Sequence, residues 1–290
     1  MSEKETSLKR QKRINFIVNI ILGITITLIT IAILYPMLFV VSTSFKTRGE
    51  FIKSPFSISF AHPENYSEAW TKGGFSVNAV NSLIVAVVAV VFQVATASLT
   101  IFAIGVLKYK GSNILFYLTL FSMFISGEVT TIPLFLLIRE FGLIDSLWAL
   151  LLPVMIAVGG TGIFLGVTYI KNIPNDLHEA ASLDGASILQ TFFYIDLNLI
   201  RPVLAYIAIT TFTATWNDFF WPFIVLPTNA AAQTLPIALI NFQAQNNSMY
   251  GVLCAGLVIM SIPILLIYSF FSKYFLNGVA AVSYTHLTLP

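Results

Sequence analysis

The chain has 290 residues, of which 57% are hydrophobic and only 10% are charged. Soluble domains average roughly 25% charged residues, so this composition excludes an ordinary soluble domain and indicates an integral membrane protein. A single cysteine, Cys254, excludes a disulfide framework within the chain. The net charge of +2 identifies no partner, but the positions of the charges carry information about topology.

The start of the chain combines a basic tail with a long apolar run at 14–41. Signal peptides have hydrophobic regions of about 7–15 residues followed by a small-residue cleavage site, whereas this run is longer and lacks such a site. We therefore predict a cytoplasmic tail at 1–13, a retained first transmembrane helix at 14–41 and an extracytoplasmic loop at 42–74.

Five further apolar runs are long enough to cross a membrane, which takes about 20 apolar residues. They lie at 75–107, 111–138, 146–170, 202–226 and roughly 250–272. Glu128 and Asp218 interrupt the second and fourth of these runs. We predict an all-α integral membrane protein with six transmembrane helices, five of them in a domain at 75–276, followed by a C-terminal tail at 277–290.

The positions of Lys and Arg predict the orientation, because these residues are enriched in cytoplasmic loops. With a cytoplasmic N-terminus, ten of the fifteen Lys and Arg residues fall in cytoplasmic segments and five in extracytoplasmic segments. This bias predicts a multi-pass protein of the cell (inner) membrane with both termini in the cytoplasm. It also places residues 171–201, between the fourth and fifth helices, on the cytoplasmic side.

The fourth predicted helix carries Gly162 and Gly166 in a GxxxG pattern. Small residues at this spacing allow two helix backbones to approach closely. Packing within the chain is the favoured interpretation, and an interface with another subunit is the alternative.

Residues 171–201 are too many for a simple connector, which would have about two to eight residues. The stretch "PNDLHEAASLDGAS" predicts a short helix that starts after Pro174, near Asp176. Its alanines allow close approach and its carboxylates suit a basic partner. A docking element is one interpretation of the segment, and an amphipathic linker on the membrane surface is the other.

The same segment resembles the EAA loop of ABC importer permeases, and we call residues 171–201 the EAA segment. The stretches "EAASLDGAS" and "IDLNLIRP" match the family pattern at Glu179, Ala180, Ala181, Asp184, Gly185, Ala186, Ile195, Leu197, Leu199 and Pro202. Asn198 stands where the family usually has a proline. Four further stretches, "YPMLFVVSTSFKTRGEF", "PENYSEAW", "TTIPLFLL" and "WNDFFWPFIVL", resemble carbohydrate-type permeases, specifically the maltose-permease G-subunit type.

This likeness, from about residue 14 to 281, implies a permease subunit of an ATP-driven, binding-protein-dependent sugar importer that works by alternating access. It implies a second homologous permease, two cytoplasmic ATPase subunits, an extracytoplasmic sugar-binding protein and a carbohydrate substrate, and no nucleic acid. It also implies a cytoplasmic coupling helix between helices 4 and 5. The residues that it assigns to ATPase coupling are Glu179, Ala180, Ala181, Asp184, Gly185 and Ala186. Residues 283–290 depart from the family, and an extraneous origin is one interpretation of this segment.

Several patterns of enzymes are missing from the sequence. No GxxxxGK[ST] phosphate-binding loop is present, so the chain lacks the usual means of ATP hydrolysis. The three histidines, His62, His178 and His286, are scattered and predict no metal cluster. We expect a transport subunit that is not an enzyme and holds no cofactor or metal, with ATP and Mg²⁺ bound by a partner ATPase.

Acidic residues inside predicted membrane helices indicate a transport pathway or a polar partner. Asp218 lies among aromatic and amide side chains that would suit a sugar. The predicted substrate pathway comprises Asn81, Glu128, Trp216, Asn217, Asp218 and Trp221. The alternative is that the tryptophans belong to an interfacial aromatic belt and the acidic residues bond neighbouring helices.

Two other classes of protein remain open at this point. An ion-coupled secondary transporter would use Glu128 and Asp218 as a proton relay, but it leaves the EAA segment unexplained and normally has more helices or visible repeats. A structural membrane scaffold has no specific feature in its favour.

Overall fold

A computed structural model describes residues 3–71, 74–157, 159–174, 176–246 and 248–287, with side chains described between residues 11 and 271, except at 13. Within these ranges the chain forms helices, turns and loops and no strand. Four of the described helical stretches are long and apolar enough to cross a membrane: Ile14–Thr43, Phe75–Leu107, Trp148–Lys171 and Tyr250–Phe271. Two bent pairs of described helices would each form a further span. The fold is therefore all-α, with four to six candidate spans.

The helices follow one another along the chain with short connections. They are α1 (Glu3–Thr43), α2 (Arg48–Lys53), α3 (Glu64–Thr71), α4 (Phe75–Phe102), α5 (Ser112–Ser122), α6 (Gly127–Glu140), α7 (Trp148–Ile156), α8 (Gly160–Lys171), α9 (Asp176–Leu183), α10 (Ile188–Gln190), α11 (Leu197–Leu199), α12 (Arg201–Asn217), α13 (Phe220–Val225), α14 (Leu235–Gln245) and α15 (Tyr250–Leu287). Two π-helices, Ala103–Leu107 and Thr191–Asp196, continue α4 and α10.

The chain divides into two compact units, one formed by 1–69 with 245–258 and the other by 70–244 with 259–290. In the first unit, the apolar window of α1 is entirely unburied, which suits a helix that faces lipid or another subunit. The loop after α1 is held by Lys46, whose buried ammonium donates to the carbonyls of Ser54 and Pro55 at 3.2 and 2.8 Å.

In the second unit, α4, α8 and α12 meet in a buried cluster that we call the packed centre. Its members are Ala97, Ile101, Ile104, Ile163, Val167, Ile170, Ile200, Val203 and Ile207. A Cβ added at Gly162 would lie 2.6 Å from Ile207 Cγ1, and one at Gly166 would overlap the side chain of Ile101. The GxxxG glycines thus pack against helices of the same chain, and the predicted packing within the chain is confirmed.

Several of the predicted spans contain breaks that apolarity alone does not reveal. α5 and α6 are bent by 98° relative to each other, and the short helices at 188–199 are bent by 72° from α12. Between α7 and α8, the amide of Gln93 donates to the carbonyl of Ala157, which would otherwise lack a partner at the helix end. The assignment of segments to the two sides of a membrane stays a prediction, and the side chains at 283–290 lie outside the described residues.

Candidate functional site

The EAA segment opens with α9, which lies where the sequence predicts a short helix. Asp176 and Glu179 occupy its first turn, where carboxylates are stabilised by the positive end of the helix dipole. Ala181 is buried, whereas Glu179 and Ala180 are exposed. The helix therefore turns one alanine inward and leaves the other, with its neighbouring carboxylate, open to contact.

Gly185 ends α9 and reverses the chain direction. Its φ is +78°, the left-handed conformation that glycine adopts without strain. The N–H of Ala186 donates to the carbonyl of Ala181 at 2.9 Å, and that of Gly185 donates to Ser182 at 3.1 Å. These two bonds define a Schellman motif, which explains why glycine follows Asp184 at this position.

Ser187 restarts the helical structure after this turn. Its hydroxyl accepts from the N–H of Gln190 at 3.3 Å, and the Gln190 side chain accepts from the N–H of Ser187 at 2.7 Å. This reciprocal capping box begins α10, which continues as the π-helix Thr191–Asp196. Phe192 anchors that π-helix by packing against Phe102 of α4, with ring centroids 5.0 Å apart.

A partly buried hydrogen-bonded pair lies behind the turn and was not predicted from the sequence. His178 Nε2 lies 2.8 Å from Asp196 Oδ1, and the Asp196 side chain has no exposed surface. The two residues are 18 positions apart and meet only because the chain reverses at Gly185. The one available signal was that Asp196 stands between apolar residues, where a carboxylate needs a partner.

The outer side of the EAA segment is apolar and exposed. Leu183 is 88% exposed and Tyr194 is 75% exposed. Beside them is an open cavity of about 290 Å³, lined by Asp184, Gly185, Ala186, Gln190, Thr191, Tyr194 and Ile195. Exposed apolar side chains rimmed by polar groups mark surfaces that contact a protein partner or a membrane. Five of the six residues assigned to coupling are wholly or partly exposed on this segment, and Ala181 is the buried one.

Among the predicted pathway residues, Trp216, Asn217, Asp218 and Trp221 surround the break between α12 and α13. Asp218 Oδ1 accepts from the backbone N–H groups of Phe220 and Trp221 at 3.1 and 3.3 Å. The Asn217 amide donates to the carbonyl of Thr213 at 3.0 Å. The carboxylate thus starts α13 rather than bonding a neighbouring helix.

Both tryptophans at this break donate their indole N–H groups to backbone carbonyls of the same chain. Trp216 is buried, donates to the carbonyl of Met260 at 2.9 Å and stacks on Phe212. Trp221 donates to the carbonyl of Ala149 at 3.1 Å. These bonds tie the end of α12 to α15 and α13 to α7. Their polar atoms are therefore engaged in holding helices together.

Asn81 and Glu128 occupy separate places. Asn81 donates to the carbonyls of Ala231 and Gln233 at 2.8 and 3.0 Å, which holds the loop before α14 against α4. Glu128 is exposed in the first turn of α6 and accepts from the Ser126 hydroxyl at 3.3 Å. The structure does not gather these two with the residues around Asp218, and a role of any of them in a substrate pathway stays a prediction.

No protein-family model matches the sequence. Among curated relatives, the arabinooligosaccharides transport system permease protein AraQ of Halalkalibacterium halodurans is 30% identical over 263 residues, covering 89% of this chain and 93% of the relative. The diacetylchitobiose uptake system permease protein NgcG of Streptomyces coelicolor is 30% identical over 255 residues, covering 87% of this chain and 84% of the relative.

Solved structures share the fold. A bacterial ABC transporter involved in the import of the acidic polysaccharide alginate matches with a TM-score of 0.76 and 24% identity, over 92% of this chain and 98% of that chain. A bacterial alginate ABC transporter in complex with an alginate pentasaccharide-bound periplasmic protein matches with a TM-score of 0.61 and 17% identity, over 90% and 94%. Identity and coverage over nearly the whole length show that the chain belongs to the carbohydrate-type permeases of ABC transporters.

Proposed function

We propose that the chain is a membrane-spanning subunit of a binding-protein-dependent importer that moves a carbohydrate by alternating access. The observation that carries this proposal is the exposed EAA segment, with α9 and the turn at Gly185, in a chain that belongs to the ABC permeases. The cargoes named for the relatives, arabinooligosaccharides and diacetylchitobiose, support a carbohydrate as the substrate.

The proposed topology has six spans with both termini in the cytoplasm. It counts the four long apolar helices and treats the pair α5 and α6, and the pair formed by 188–199 and α12, as one bent span each. The predominance of Lys and Arg in the segments then assigned to the cytoplasm supports this orientation. In this arrangement the first part of the EAA segment, with α9 and the turn at Gly185, faces the cytoplasm.

The proposed partners divide the work of transport. A second, homologous permease would complete the pathway, two cytoplasmic ATPase subunits would hydrolyse ATP, and an extracytoplasmic binding protein would deliver the sugar. The solved alginate transporter with a ligand-bound periplasmic protein supports the last of these partners. ATP and Mg²⁺ belong to the ATPases, and we assign no cofactor to this chain.

The ion-coupled alternative has no observation in its favour. Glu128 is exposed at the start of α6, and Asp218 accepts hydrogen bonds from the first turn of α13. A proton relay needs titratable groups that exchange protons with one another, and the structure engages these two carboxyl groups at separate helix starts.

Coupling to ATP requires an element whose position both sites can bias. We assign this role to α9 with the Gly185 turn, where the exposed Leu183 and the neighbouring cavity, lined by both polar and apolar residues, would receive the ATPase. The exposed carboxylates of Glu179 and Asp184 would pair with basic groups on that partner, and removal of one would cost about 1–3 kcal/mol of docking.

The proposal is tested by substitutions at Gly185 in the reconstituted complex. An added Cβ meets nothing within 4 Å inside the chain, so the effect of a side chain here reports on a partner or on backbone strain. Asparagine at position 185 adds bulk and readily adopts the left-handed conformation. Valine adds bulk and also raises the energy of that backbone conformation by about 1–2 kcal/mol. Both variants should reach the membrane and assemble with the companion permease.

The measured quantity is sugar uptake driven by ATP, together with substrate-stimulated ATP hydrolysis. We expect Gly185→Val to abolish uptake and Gly185→Asn to reduce it severely. Gly142→Asn is the matched control, because Gly142 has a φ of +67° and equally open space but lies outside the EAA segment. Full uptake and stimulated hydrolysis in both Gly185 variants would rule out this turn as part of the coupling element.

A further inference from the structure

A side-chain pair joins α9 to the π-helix that leads towards α12. His178 lies in α9, and its Nε2 is 2.8 Å from Oδ1 of Asp196. Among the residues that the structure describes, His178 is the one α9 side chain that hydrogen-bonds another element, and Ala181 is the one buried residue of α9. The pair is therefore a main connection between α9 and the helices behind it.

The burial of Asp196 makes the loss of its hydrogen bond to His178 energetically costly. The Asp196 side chain has no exposed surface, and within the described ranges its Oδ2 has no hydrogen-bond partner. A buried carboxylate that loses its paired donor is strongly destabilised. A movement of α9 that separated the two side chains would leave Asp196 in that state. The two groups are consequently expected to move together rather than slide past each other.

Asp196 is in turn attached to the packed centre. Its carbonyl accepts from the N–H of Ile200 at 2.9 Å, and Ile200 is completely buried in that cluster with Val203. At the other end of the π-helix, Phe192 packs on Phe102 of α4. The π-helix thus contacts α4 near its start and leads into the packed centre at its end, while His178 joins α9 to the π-helix.

We propose that His178 and Asp196 are positioning residues that pass displacements of α9 to α12. The proposal rests on the function proposed above for α9, and it adds the contact by which movement of the docking helix reaches a membrane helix. Close-packed helices transmit displacement because they have little free volume to absorb it. The exposed α9 lacks such packing and depends on the short charge-assisted bond to Asp196.

The test compares two amides at position 178 in the reconstituted complex. His178→Gln places an amide nitrogen near the position of Nε2 and keeps the donor to Asp196, whereas His178→Asn carries the same group one methylene shorter and does not reach. Both remove the imidazole, so they share any general effect of its loss. Uptake per ATP hydrolysed is measured on purified, fully assembled complexes, which separates coupling from folding.

We expect His178→Gln to retain most of the uptake per ATP and His178→Asn to lose about tenfold, a loss within the usual range of coupling between sites. The double variant His178→Asn with Asp196→Ala should fall no further than the worse single variant, because the two side chains act as one link. Equal uptake per ATP in the two amide variants, or losses that multiply in the double variant, would overturn the proposal.

Failure of this inference differs from failure of the proposed function. If Gly185→Asn impairs uptake while both amides at 178 behave like the wild type, α9 docks the ATPase but the pair does not transmit the movement. If Gly185→Asn and Gly185→Val both transport normally, the coupling role of the EAA segment itself is wrong.

Discussion

Glycine is favoured at Gly166, beside the packed centre, and at Gly185, in the EAA segment, for opposite reasons. A Cβ at Gly166 would collide with Ile101, whereas a Cβ at Gly185 would meet open space while the backbone holds a φ of +78°. At Gly166 the lack of space excludes a side chain, and at Gly185 the backbone conformation disfavours one. The packed centre is therefore stabilised by close packing of apolar side chains, whereas the EAA segment depends on turns, caps and the hydrogen bond between His178 and Asp196.

The largest loss of stability is expected where a side chain is added at a position without space for it. Gly166→Leu should destabilise the assembled protein by about 1–3 kcal/mol or more, because the added side chain overpacks the crossing of α4 and α8. The thermal midpoint of the purified complex and the amount of chain in the membrane measure this. Gly23→Leu is the control, since a Cβ at Gly23 meets nothing within 4 Å. Equal stability of the two variants would contradict the distinction between packed and open glycines.

A smaller effect is expected at Asp218, where a polar cap rather than volume holds the break between α12 and α13. Asp218→Ala removes the acceptor for Phe220 and Trp221 and should cost about 1 kcal/mol. Asp218→Asn keeps an acceptor oxygen and should preserve stability, yet we expect it to impair uptake through loss of the charge. Normal uptake kinetics in Asp218→Asn would leave this residue with a structural role alone.

Asp145, in the turn between α6 and α7, binds the loop after α13 and should make stability depend on pH. Hydrogen bonds from the Thr228 hydroxyl and from the N–H groups of Thr228 and Asn229 hold the pKa of Asp145 below its ordinary value. Its contribution is therefore present above the ordinary pKa of an aspartate and is lost as pH falls through the lowered value. Thr228→Val should move that loss to higher pH in thermal unfolding of the purified complex. An unchanged acid profile would show that the hydroxyl contributes nothing.

The smallest effect is expected at His62, which is partly exposed and lies 2.6 Å from Glu64 and 3.3 Å from Glu50. The hydrogen bond to Glu64 and the charge of Glu50 raise the pKa of His62. Its contribution is thus complete below the ordinary histidine pKa and fades as pH rises through the raised value. Surface pairs contribute little to stability. His62→Gln should therefore only make the thermal midpoint depend slightly less on pH across this range. A variant as pH-dependent as the wild type would exclude His62 as the source.

The candidate site residues fall into two groups, those in a local motif and those whose contacts depend on the fold. Glu179, Asp184 and Gly185 lie in one short stretch of the chain. A local pattern is therefore enough to predict a helix followed by a turn there. Trp216 and Asn81 were proposed for a substrate pathway because of their chemistry, and the structure shows that their donors hold backbone carbonyls of other segments. Which acceptors lie nearby is a property of the packed chain, so composition and spacing could not predict those bonds.

By itself, the sequence determined that this is an all-helical membrane protein with an EAA segment between apolar runs, because hydrophobicity, turn residues and motif spacing act over short stretches of chain. Only the tertiary structure decided that the GxxxG glycines pack against Ile101 and Ile207, and that Asp218 starts α13. The pairing of His178 with Asp196 was likewise decided only by the fold. The reason is physical: such contacts join residues that are distant along the chain, and their partners are set by where helices bend and how they pack.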